Sequence, residues 1–167
     1  MTLMSFNICV IPARGGSKRI PRKNIRPFRG RPIIAWSIAA AQESGCFQRI
    51  LVSTDDEEIA VVSTSYGAEV PFLRPSRLAD DKATTQEVML HAMNWCDEQG
   101  LPLEVVCCLY ATAPFVQPSD LAEAIRLLKC APTKSFVFPA TSFPYPIQRA
   151  IRIDSDGRAG MFQPENF

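Results

Sequence analysis

ICVIPARGGSKR occupies residues 8–19, and the fold follows from how this stretch is read. Ile8 to Ile11 is a short unbroken apolar run, the pattern of a parallel strand covered on both faces. Pro12 ends it, and Arg14, Gly15, Gly16, Ser17 and Lys18 follow at once. Successive backbone N–H groups in such a loop can form an anion-binding concavity, and Arg and Lys add charge-assisted hydrogen bonds to phosphate oxygens. Neither G-x-x-x-x-G-K-[ST] nor G-x-G-x-x-G can be placed on these glycines, which argues against a P-loop and a dinucleotide fingerprint. Two readings stay open at this point: a phosphate site, or a solvated or RNA-contacting loop.

Working outward, the charge pattern sharpens the first reading. The 167 residues carry 18 Lys plus Arg against 17 Asp plus Glu, a net charge of +1 that does not suit a generally basic nucleic-acid binder. Eight of those cations and no carboxylate fall between Arg14 and Arg31, so the remainder holds 10 cations against 17 carboxylates, and this one segment suggests a site for a compact polyanion. No apolar run approaches the roughly 20 residues of a membrane span and no signal-peptide cleavage pattern follows the first residues, so a cytoplasmic protein with no membrane partner is expected. Six cysteines without CxxC spacing read as buried reduced thiols.

Beyond the loop, Ile34, Ile38 and Ala41 recur at helical spacing, with Pro32 suited to the first turn and Gly45 to the C-terminal cap. A second strand fits Ile50 to Ser53, a third Glu69 to Leu73, a fourth Val105 to Leu109 and a fifth Phe136 to Phe138. Helices fit between them, opened by Asp55 with Glu58, by the Thr84–Glu87 capping-box spacing, and by Ser119 and Asp120. The alternation predicts an α/β fold: a mainly parallel sheet with right-handed crossovers and helices on both faces. The basic loop, the STDD turn, LRPSRLADD and YATAPF then gather at the carboxyl edge of the sheet, where such folds bind ligands. From Ser142 onward Ile151 and Ile153 alternate with Arg152 and Asp154, and DSDG marks a turn, which predicts a hairpin-like β extension. Residues 1–141 are thus expected to form a nucleotide-binding α/β domain and 142–167 the start of a β extension or dimerisation arm, one domain overall.

Other residues invite functional readings that weaken on inspection. Asp55 and Asp56 would suit Mg²⁺, but Asp55 is better placed as a helix cap ahead of Glu57 and Glu58. His91, the sole histidine, falls on a helix face between apolar residues and is excluded as catalytic. Trp36 and Trp95 read as packing.

IPARGGSKRIPRKNI resembles the signature of the CMP-sugar synthetases, which activate nine-carbon acidic sugars with CTP. Similarity extends through VSTDDEEIA, GAEVPFLRPSRLADD, YATAPF and SFVFPATSFPYPIQRAIRIDSDGRAGMFQPENF, hence over essentially the whole chain. The resemblance implies a Rossmann-like nucleotidyltransferase fold and transfer of CMP from CTP to the sugar with release of pyrophosphate. YATAPF with FPYPIQRA most resembles the members that act on pseudaminic acid; sialate and legionaminate are the alternatives, and a non-catalytic polyanion or RNA-binding module is the rival from another class.

By position, the resemblance implies Arg14 and Lys23 on the triphosphate as the catalytic cations. It implies nucleotide contacts from Gly15, Gly16, Ser17, Lys18, Asn24, Arg74, Thr84 and Thr85, with Asn24 near the cytidine. Tyr110, Gln148 and Arg149 are the implied sugar contacts. Mg²⁺ is the implied cofactor, with its carboxylates expected beyond residue 167, where the family's chains continue. CTP and an acidic sugar are the implied partners, with no nucleic acid, and a homodimer is implied for the full-length chain.

Overall fold

A computed structural model describes residues 5–144 and 150–163. In chain order its elements are β1 (Phe6–Pro12), β2 (Pro27–Phe28), β3 (Arg31–Pro32), α1 (Ile33–Glu43), β4 (Arg49–Ser53), α2 (Glu57–Ser65), α3 (Thr85–Glu98), β5 (Leu103–Cys108), α4 (Pro118–Cys130), β6 (Ile151–Ile153) and β7 (Ala159–Met161). The chain divides into two compact units, 1–135 and 136–167.

In the first unit β1 is the central strand of a parallel sheet of order β4-β1-β5. Val10 pairs with Leu51 on one side and Cys108 on the other. Because side chains alternate across a strand, the continuous apolar run of β1 serves two cores at once. Cys9 and Ile11 join Ile50 and Val52 against Ile34, Ile38, Ile59 and Leu121, so α1, α2 and α4 cover one face. Ile8, Val10 and Leu51 pack with Ala92 and Cys96, so α3 covers the other. The expected α/β fold, with helices on both faces, is what forms.

The helix boundaries follow local chemistry. Pro32 caps α1 from outside rather than entering its first turn, and Gly45 ends the helix with a left-handed φ of +64° that a residue with a Cβ rarely adopts. Pro118 takes the first position of α4, where its missing N–H costs nothing, with Gln117 as cap. Thr84 and Glu87 form the expected capping box at the start of α3. Asp56, and not Asp55, caps α2: its carboxylate accepts from the Ile59 N–H at 3.0 Å. Of two consecutive aspartates only one can lie at the cap, and the other is turned elsewhere.

Two expected strands are corrected. Glu69 to Leu73 runs parallel to β4 but forms only isolated bridges, Leu51 with Glu69 and Thr54 with Leu73. Pro71 lies between them and has no N–H to give the ladder. Phe136 to Phe138 is not a strand; Phe136 is 85% exposed and Phe138 78%, and among the described residues no strand edge pairs with it. In the second unit, β6 and β7 do form the expected antiparallel hairpin around the DSDG turn, with Ile151 opposite Met161.

Between β1 and α1 the basic segment is folded rather than loose. Lys23–Ile25 makes one 3-10 turn, and β2 and β3 close a tight hairpin over α1. Trp36 anchors that hairpin: its indole N–H donates to the Phe28 carbonyl at 3.0 Å, and the Arg31 guanidinium stacks 3.6 Å from its ring centre. On the other side of the sheet Trp95 packs against Phe72. Among the described residues no helix is long and apolar enough to cross a membrane.

Candidate functional site

The carboxyl ends of β1, β4 and β5 deliver their loops to one edge of the sheet. There a cleft of about 250 Å³ is lined by Arg14, Lys23 and Asn24 after β1, by Arg74, Asp80 and Asp81 from the segment before α3, by Thr85 at the start of α3, and by Tyr110, Ala111 and Thr112 after β5. A second cavity of about 510 Å³ is lined by Arg14, Ser17, Lys18, Arg19, Ile20, Lys23 and Asp81. Arg14, Lys23 and Asp81 border both, so a mixed cleft and a cationic one meet along these three residues.

The glycine loop differs from the expected amide concavity. The Gly15 N–H donates to Asp55 Oδ1 at 3.0 Å, and the Ser17 N–H turns back to the Gly15 carbonyl at 2.9 Å. Of the three successive amides only that of Gly16 makes no hydrogen bond among the described residues. The cationic groups beside this loop are the side chains of Arg14, Lys18 and Lys23, which line the second cavity. Gly15 is required for closeness: a Cβ there would lie 2.5 Å from Asp56 Oδ2 and 2.8 Å from Asp56 Cβ. Around Gly16 a Cβ would meet nothing within 4 Å.

Asp56 is fixed in turn. Arg22, itself left-handed at φ +54°, forms ion pairs with Asp56 and with Glu58. The Arg22 hydrogen bond, aided by the Ile59 N–H, holds the Asp56 carboxyl below its ordinary value. The acid turn after β4 thus grips the basic loop at both ends, Gly15 and Arg22.

Arg74 is the most unusual member of the cleft. It is 94% buried, and its Nε and Nη2 have no hydrogen-bond partner among the described residues. Asp55 Oδ1 lies 3.6 Å from Nη2, close enough for charge pairing. Burial pulls the guanidinium below its usual value, with Asp55 opposing the shift. A guanidinium stays charged regardless, so the wall of the cleft holds a buried cation.

Asn24 is buried, and its amide donates to the Arg14 carbonyl at 2.9 Å, which sets the loop's exit. Thr85 and Tyr110 meet at the cleft, hydroxyl to hydroxyl at 3.3 Å. Thr84 differs from the expected nucleotide contact: its hydroxyl accepts from the Glu87 N–H and lies 2.8 Å from the Glu87 carboxylate, so the helix cap occupies it. Gln148 and Arg149 lie outside the described residues.

Reading the sequence missed Asp80 and Asp81. Arg14 donates to the Asp80 carbonyl at 2.9 Å and pairs with Asp81 at 2.8 Å, and Lys18 pairs with Asp81 as well. Those two cations hold the Asp81 carboxyl below its usual value, Lys18 first. The available signal was charge complementarity between ADD and the acid-free segment 14–31. Among the described residues no group of three or more His, Cys, Asp or Glu side chains could hold a metal ion, so the donors present do not make a resident Mg²⁺ site.

A parallel sheet whose carboxyl edge carries a cationic loop beside a polar cleft is the architecture of an α/β nucleotidyltransferase domain. The family model described as cytidylyltransferase matches residues 8–144, and the chain belongs to that family of CTP-dependent nucleotidyltransferases. It is 45% identical over 161 residues to a pseudaminic acid cytidylyltransferase of Campylobacter jejuni, covering 96% of this chain and 69% of that one. To a CMP-N,N'-diacetyllegionaminic acid synthase of Legionella pneumophila it is 39% identical over 122 residues, covering 73% and 53%. Among solved structures, CMP:2-keto-3-deoxy-manno-octonic acid synthetase complexed with CTP superposes with a TM-score of 0.65 at 21% identity, covering 77% of this chain and 49% of that one. That likeness bears on the fold.

Proposed function

We propose that this chain binds CTP in the paired clefts and transfers CMP to a nine-carbon acidic sugar, pseudaminic acid, releasing pyrophosphate. The observation that carries the reading is Arg74, buried with two unmet N–H donors beside cations that line an adjoining cavity. A compact polyanion joined to a hydrogen-bonding base satisfies both halves. Identity to the Campylobacter jejuni relative supports the choice of sugar.

In this reading Arg14, Lys18 and Lys23 hold the triphosphate, and Arg74 and Thr85 meet the nucleoside. Asn24 acts on the nucleotide through the Arg14 carbonyl it holds. A sugar hydroxyl attacks the α-phosphorus, a new P–O bond forms, and the bond to the β-phosphate oxygen breaks. The cations stabilise charge that builds on the phosphate oxygens. Tyr110 stands at the mouth of the cleft for the sugar. Magnesium belongs to this reading as the ion a nucleoside triphosphate brings, held chiefly by phosphates. A cytoplasmic homodimer is part of the same proposal.

The test is thermal unfolding with each of the four nucleoside triphosphates. A ligand at about 100 times its Kd adds roughly 2.7 kcal/mol. A shift for CTP that exceeds those for UTP, GTP and ATP is the expected result. Equal shifts for all four, falling steeply with salt, overturn it in favour of a general polyanion site.

A further inference from the structure

Asp55 is not among the residues that line either cavity, yet it touches both halves of the site. Its Oδ1 accepts the Gly15 N–H at 3.0 Å and stands 3.6 Å from Arg74 Nη2. We propose that Asp55 is a positioning residue: a single carboxylate that ties the backbone of the phosphate loop to the buried guanidinium and so sets the distance between the two ends of the bound nucleotide. This rests on the CTP reading above.

Three observations support it. Asp55 is free of the capping role, because Asp56 fills it. Gly15 lies so close to the acid turn that a Cβ added to it would stand 2.5 Å from Asp56 Oδ2, so there is no room for the loop to carry a side chain beside Asp55. Among the described residues Asp55 is also the sole carboxylate paired with Arg74, whose burial would otherwise leave its charge uncompensated. Loop and guanidinium come from chain segments some sixty residues apart, and no regular element spans them. One oxygen does.

Two variants separate positioning from mere support. Asp55→Asn keeps an oxygen for the Gly15 N–H and the same size, but removes the charge that faces Arg74. Asp55→Ala removes both links. Binding of CTP and of inorganic tripolyphosphate is measured by calorimetry for each, alongside thermal unfolding. CTP uses both ends of the site, whereas tripolyphosphate uses only Arg14, Lys18 and Lys23. Asp55→Asn is expected to weaken CTP about tenfold, Asp55→Ala by more, with tripolyphosphate changed by less than about threefold in the Asn variant, the scale on which outer supports of a site act. CTP and tripolyphosphate weakening in parallel, or CTP binding unchanged in both variants, overturns the proposal. Wild-type protein that does not prefer CTP overturns the parent reading instead, and the proposal with it; failure of the variants alone leaves that reading intact.

Discussion

Replacing Gly15 by alanine tests how tightly the acid turn grips the basic loop. The new Cβ would stand 2.5 Å from Asp56 Oδ2, 2.8 Å from its Cβ and 3.0 Å from its Cγ. The carboxylate cannot simply swing away: it caps α2 through the Ile59 N–H and is held by Arg22. Losing such a cap costs about 1 kcal/mol, and inserting a methyl into packed surroundings costs about 1–3 kcal/mol. Relief must come from the loop or the helix start, so Gly15→Ala is expected to lose about 1–3 kcal/mol of stability. For a chain of this size that lowers Tm by about 2–12 °C. Were the whole strain relieved by displacing the loop, CTP would bind about 5- to 150-fold more weakly. Gly16→Ala is the companion in the unfolding assay, because no atom stands within 4 Å of its added Cβ. The two variants are compared by thermal unfolding, and CTP binding to Gly15→Ala by calorimetry. Equal Tm values for the two, with wild-type CTP affinity in Gly15→Ala, would refute the close-approach argument.

Three further outcomes are expected. Asp81 occupies Arg14 and Lys18, the cations assigned to the triphosphate, so Asp81→Asn should tighten CTP binding in a calorimetric titration; weaker binding would place Asp81 among the groups that hold the ligand. Asp56, held below its ordinary value of 3.8 chiefly by Arg22, binds fewer protons folded than unfolded. Its contribution to stability is therefore complete above pH about 3.8 and disappears as pH falls through the lowered folded value, so urea unfolding from pH 7 to pH 3 should show a loss that Asp56→Asn reduces; an unchanged pH dependence in that variant speaks against the pair. Thr84→Ala should cost about 1 kcal/mol through the lost cap of α3 while CTP affinity holds, and a loss of affinity at unchanged Tm would return Thr84 to the nucleotide.

Much of the fold was legible because its signals are local. The doubly buried run of β1 and the Thr84–Glu87 box act within a few residues, and each appears where its chemistry requires. Pairing is not local: Phe136 to Phe138 has the composition of a strand, but a strand needs an edge, and composition cannot supply one. The cations of the site were equally plain as an acid-free segment. What stayed hidden was the partner of each, since Asp55 to Arg74 and Asp81 to Arg14 join loops distant in sequence. The capping rule, applied to the first of two aspartates, chose the wrong one and thereby concealed the role of Asp55.

Trp36 has a use that its packing role does not suggest. Its indole is bonded to Phe28 and covered by Arg31, two residues of the hairpin that ends the basic segment, whereas Trp95 packs against Phe72 behind the sheet. These 167 residues contain two tryptophans. Its native fluorescence therefore combines one emitter that senses the cationic loop with one that serves as an internal reference. Ligand-driven movement of that loop can be followed optically, without a label, in the unmodified chain.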